Sequence, residues 1–193
     1  MVRRFIVRMY GRGFVLMYVA AKRMAYLGLL LSCTVLLVIF SGILEFNTLF
    51  LLAGASFCVG IAIRESGLRL GFGFFIASIL LSFMLAPNKI YCITFAAMGL
   101  YLVISEFAWE KLASAKWSTN RNGILWIIKY VIFNIMYIPI IIFLPKLIYQ
   151  GELNRGFLAV LLIGGQIGLL IYDKAYSYFQ KAIWGKVRGR LGL

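Results

Sequence analysis

Residues 70–108 read LGFGFFIASILLSFMLAPNKIYCITFAAMGLYLVISEFA. Two apolar runs, 70–86 and 90–108, flank the turn-forming triplet Pro87-Asn88-Lys89; the first run has no charge and the second has only Glu106. A helix of about 20 apolar residues crosses the roughly 30 Å hydrocarbon core of a bilayer, so this stretch reads as two membrane spans joined by a tight turn. Four more runs of the same kind follow from the rest of the chain: 24–44, 48–63, 124–147 and 156–172. The breaks between them carry turn-forming or charged residues, as at Glu45-Phe46-Asn47 and across 64–69, and one longer polar loop lies at 109–123.

Composition agrees. Of 193 residues 63% are hydrophobic and 13% charged, with mean hydropathy +0.96, against about 45–50% apolar and 25% charged in soluble domains. The expected fold class is an all-α polytopic membrane protein of six transmembrane helices. Its organisation is a basic amphipathic segment at 1–23, a six-helix domain at 24–172 and a basic, aromatic tail at 173–193. So little chain lies outside the spans that any function has to be carried within the membrane.

The formal net charge of +14 is explained by topology and anionic lipid headgroups rather than by nucleic acid. Lysine and arginine are enriched in short cytoplasmic loops. With six spans, Arg3, Arg4, Arg8, Arg12, Lys22, Arg23, Arg64, Arg69, Lys111, Lys116, Arg121, Lys174, Lys181, Lys186, Arg188 and Arg190 share one side, and Lys89, Lys146 and Arg155 the other. Both termini are therefore expected in the cytosol, with the chain in the cell membrane. Arg4, Arg8 and Arg12 recur every four residues, which places them on one face of a helix lying in the interface. Tyr176, Tyr178, Phe179, Ile183 and Trp184, interleaved with basic residues, are expected to rest on the headgroups.

The chemistry of ordinary enzymes is missing. The sequence has no histidine, no phosphate-cradling glycine loop with a lysine, and no paired-carboxylate motif. Cys33, Cys58 and Cys92 are isolated in apolar stretches and read as packing residues. The expectation is a protein with no catalytic residues, no cofactor and no metal.

Polar residues in or at the edge of the last three spans stand out instead: Glu106, Lys129, Asn134, Gln166 and Asp173. Intramembrane charges are rare and face the bundle interior. Lys129 lies within reach of Glu106, Asp173 or both, so Glu106, Lys129, Asn134 and Asp173 are expected to form an intramembrane clasp; the plainer alternative is a lysine that snorkels to the interface. On the other side, Asn47, Asn88, Lys89 and Glu152 are placed to line the mouth of an outer pocket, beside a fifth span loosened by Pro139 and Pro145. Their alternative is ordinary loop polarity.

Small residues at four-residue spacing permit close helix contact. Ser56 with Gly60 and Gly164 with Gly168 read as internal packing, while Gly28 with Ser32 is the pair expected to face a partner. The basic Lys22-Arg23 leading into this small-residue first span, six short helices, tight loops and a basic tail together resemble the substrate-binding S components of energy-coupling factor transporters. The segments KYVIFN at 129–134 and Ile171-Tyr172-Asp173 are similar to other small six-span bacterial membrane proteins. Membership in the transporter family implies a small organic micronutrient bound in an outward-facing pocket. It also implies a transmembrane coupling subunit docked on the Gly28 and Ser32 face, with energy from separate ATPases; the family's alanine-based docking motif is replaced here by Gly28 and Ser32. The alternative function is a non-catalytic scaffold or assembly subunit that docks onto other membrane proteins.

Overall fold

A computed structural model describes residues 2–44, 47–114, 121–143 and 155–186. The chain is all-α: α1 (Val2–Ile43), α2 (Thr48–Ser66), α3 (Leu68–Leu85), α4 (Lys89–Ser114), α5 (Arg121–Phe143) and α6 (Arg155–Tyr178), the last continuing as a π-helical stretch, Phe179–Trp184. Among the described residues, five segments are long and apolar enough to cross a bilayer: Ala21–Ile43, Thr48–Ser66, Leu68–Leu85, Lys89–Ala113 and Arg121–Pro139. α6 has the length, at 24 residues, but its apolar stretch ends in Asp173-Lys174. Side chains such as Leu29, Phe50 and Met84 are 73–79% exposed. That surface is stable only against hydrocarbon, which makes this a helical membrane protein.

Local chemistry sets the helix ends. α2 and α3 are separated by a single residue, Gly67, at φ +82°, a conformation that glycine adopts without steric cost. Its N–H closes α2 on the Ile63 carbonyl at 2.8 Å, and its own carbonyl accepts from the Gly71 N–H at 2.9 Å. At the other end, Pro87 forces Ala86 out of the helical region, to φ −73° and ψ 136°. The Asn88 side chain then accepts the Ile90 N–H at 3.0 Å and caps α4.

Helices run past the hydropathy breaks. α2 extends through Ser66, so Arg64 is helical rather than part of a loop, and α4 extends six residues beyond Ala108 to Ser114. α5 stays helical through Pro139 to Phe143, where the sequence suggested an irregular half-span; Pro145 lies outside the described residues. α1 is one helix from Val2, so the backbone of the basic segment is continuous with the first span.

The packed body is α1 to α4, with α2 at its centre. Every residue of α2 from Ala55 to Ile63 is buried, and a helix surrounded on all sides needs small residues where neighbours come close: Ala55, Ser56, Gly60 and Ala62. Leu52 and Val59 of α2 meet Val38 of α1 and Phe95 of α4 in the apolar core, all fully buried. α5 and α6 form a looser pair against this body. Large aliphatic side chains on both, including Ile127, Ile135, Ile163 and Ile171, are 63–67% exposed.

A polar seam between the four-helix body and α5–α6

The surface of α6 that meets the body carries hydroxyls, an amide and a carboxylate rather than an apolar ridge. Tyr172, Tyr176 and Gln180 recur every four residues, and Asp173 flanks them. Opposite them on α2, Ser56 and Gly60 have the same spacing and act as receptors. The Tyr172 and Ser56 hydroxyls are 2.6 Å apart, and the Tyr172 hydroxyl also donates to the Met98 carbonyl at 3.4 Å. Gly60 leaves the room that the Tyr176 ring occupies: a Cβ built on Gly60 collides with the ring and its hydroxyl. Phe57 sits between these tyrosines, 5.4 Å from each ring centroid.

Nearest the Gly67 end, Arg64 grips Glu106 through Nε, 2.9 Å from both carboxylate oxygens, and Nη2, 2.7 Å from Oε1. The Tyr176 hydroxyl donates to the same Oε1 at 2.6 Å and accepts from Gln180 at 3.1 Å. The Arg64 guanidinium lies 5.6 Å from the Tyr176 ring centroid. Glu106 is 6% exposed against 42% for the Arg64 side chain, so the arginine enters from the rim and its partner stays inside. Such charge-assisted, two-pronged contacts are the strong class of hydrogen bond.

Further in, Lys129 Nζ lies 2.5 Å from Asp173 Oδ1; the acid is buried at 7% exposure and the lysine side chain is partly buried at 15%. Tyr101 donates to the same oxygen at 3.5 Å. Lys129 is eight residues into α5, about 12 Å along the axis, and its ammonium turns inward to the acid rather than outward to the interface. Beyond it, the Gln166 amide donates to Asn134 Oδ1 at 2.9 Å, Asn134 donates to the Tyr130 carbonyl at 2.8 Å, and Tyr137 donates to the Leu161 carbonyl at 2.8 Å. Gln166 Oε1 and Ser105 Oγ are buried and make no hydrogen bond among the described residues.

The four residues expected in one clasp therefore divide. Lys129 takes Asp173, Glu106 takes Arg64, and Asn134 takes Gln166. Arg64 was missed because the hydropathy break at Ile63 assigned it to a loop. The tyrosine ladder was missed because Tyr176 was assigned to the headgroups. Tyr176 and Trp184 are instead buried, at 3% and 9% exposure, and the Trp184 indole donates to Glu65 at 3.0 Å while its ring lies 5.8 Å from Tyr26. The matching four-residue spacings of Tyr172 with Tyr176 and of Ser56 with Gly60 were the legible signal.

The expected outer residues take separate places. Asn47 is the N-cap residue of α2 and Asn88 caps α4. Lys89 donates to the carbonyls of Phe83 and Ala86 and lies 5.0 Å from the Phe83 ring centroid. Glu152 lies outside the described residues. On α1 a Cβ added at Gly28 meets nothing within 4 Å, and exposed Ser32 donates back to the Gly28 carbonyl at 3.1 Å. Gly164 and Gly168, expected in internal packing, also have open space beside them. Among the described residues no group of three metal-ligating side chains converges. Compared with family models, curated proteins and solved structures, the chain matches none.

Proposed function

We propose that this protein is a six-span cell-membrane protein with both termini in the cytosol. It acts as the substrate-binding subunit of a small-molecule uptake transporter and carries out no chemistry of its own. The observation that supports this reading is the seam itself. Polar groups inside a bilayer are costly and concentrate along solute or ion pathways, and this seam runs from Arg64 past Asp173 to Asn134 and Tyr137. Phe57, Tyr101, Phe133 and Tyr172 pack along it, and Gln166 Oε1 and Ser105 Oγ supply free hydrogen-bonding capacity. Apolar walls with a few fixed polar groups are what binding sites for small organic solutes require.

Energy for uptake comes from separate subunits: a transmembrane coupling protein on the Gly28 and Ser32 face of α1, and ATPases below it. Tagged protein purified from its native membrane is expected to bring both down. Recovery with no ATP-binding subunit rejects the uptake reading. The span count has its own check. Reporter domains fused at Asn47 and at Asn120 should report opposite sides of the membrane, and the same side for both defeats six spans.

A scaffold role is favoured by a different observation, the open small-residue faces at Gly28 and at Gly164 and Gly168. In that case Gly28→Leu with Ser32→Leu removes membrane partners that arrive without ATPases.

A further inference from the structure

A groove of about 440 Å³ opens on the flank of the body between α3 and α4, lined by Leu68, Arg69, Phe72, Val103, Ile104 and Phe107. It is remote in character from the seam: five of its six lining side chains are hydrocarbon, and it faces outward. Its volume falls within the roughly 300–1,000 Å³ of sites that hold small organic ligands. The polar end is what identifies an occupant. Exposed Arg69 has no hydrogen-bond or ion-pair partner among the described residues, in contrast to Arg64, whose charge is taken by Glu106. A second cation, Lys111, reaches over the ring of groove-lining Phe107 with its ammonium 5.6 Å from the centroid. Glu110, beside Lys111 in the chain, has interactions of its own.

We propose that this groove is a specific site for one anionic phospholipid. An acyl chain lies against Phe72, Val103, Ile104 and Phe107, and the headgroup phosphate is held by Arg69 and Lys111. The position suits this occupant: Arg69 and Phe107 stand near the Gly67 turn and the end of α4, where helix ends meet headgroups, and the apolar lining continues inward from them. A zwitterionic lipid fills the same channel but brings its own cation to the two basic side chains. A second helix would gain the apolar contact and leave both cations without an anion.

The test is native mass spectrometry of the intact chain released from micelles holding equal amounts of phosphatidylglycerol and phosphatidylcholine with identical acyl chains. The wild type is expected to retain one phosphatidylglycerol in preference. Each basic residue beside an anionic headgroup strengthens binding roughly fivefold, so R69Q/K111Q should lower that preference on the order of twentyfold. R121Q/K174Q, which removes the same charge elsewhere, should leave it unchanged. Ile104→Trp, at a partly exposed lining position, fills the groove and should reduce retention of both lipids. Equal retention of the two lipids by wild type, an unaltered preference in R69Q/K111Q, or an equal fall in R121Q/K174Q would overturn the site. A homodimer lost in Ile104→Trp with lipid retention intact would also overturn it and assign the face to a second copy. Melting temperatures of the variants matching wild type exclude misfolding as the cause.

Discussion

Lys129→Ala is expected to destabilise the folded protein by about 3–5 kcal/mol, the usual result of removing one partner from a buried ion pair. Asp173 would keep its charge at 7% exposure, with only the 3.5 Å contact from Tyr101 to offset the loss of Lys129. Neutralising that stranded acid should restore stability, so Lys129→Ala with Asp173→Asn is expected to melt above Lys129→Ala alone. Glu106 offers the control. It is held by Arg64 and Tyr176, so Lys129→Ala with Glu106→Gln should be worse than either change singly. Thermal melting in detergent and folded yield read both outcomes. If Glu106→Gln rescues Lys129→Ala, or Asp173→Asn fails to, the pairing is wrong. The same measurement tests a snorkelling lysine, for which Lys129→Ala alone would melt close to wild type.

How much of this was legible in the sequence differs by residue type. Long continuous apolar runs give helices because within a bilayer a helix satisfies every backbone hydrogen bond inside its own segment; among the described residues each expected run holds a helix, five of them long and apolar enough to cross, with Gly67 and Pro87 marking turns where the sequence placed them. Their ends were less legible. Hydropathy treats Arg64 as the end of a span, but a helix ends where its hydrogen bonds end, and a cation with a buried acid beside it remains inside. Pairing was harder still. Lys129, Glu106 and Asp173 lie toward one end of neighbouring helices, and their spacing permits several pairings; rotation of α5 and α6 about their axes decides between them. The small-residue motifs show the same limit. Spacing of four locates a notch on a helix without saying what enters it: Gly60 receives a tyrosine ring, while Gly164 and Gly168 have open space.

That contrast yields the second large effect. Gly60→Ala adds a methyl group where the Tyr176 ring and hydroxyl lie. Its neighbours cannot give way cheaply. Phe57 packs against that ring, the Arg64 guanidinium lies over it, and its hydroxyl is tied to Glu106 and Gln180. Overpacking a filled interior costs about 1–3 kcal/mol, and losing a hydrogen bond to a charged group about 1.5–3 kcal/mol, so a loss of about 3 kcal/mol is expected. Gly164→Ala meets open space, and a helical glycine gains up to about 1 kcal/mol on becoming alanine, so that variant should melt at or above wild type. A double-mutant cycle closes the argument. With the ring removed by Tyr176→Leu, adding Gly60→Ala should cost little, because the clash and the unhooked carboxylate belong to one event. Additive losses would mean that Gly60 acts through α2 itself. Non-additive losses would place the seam's tightest joint where α2 has no side chain at all.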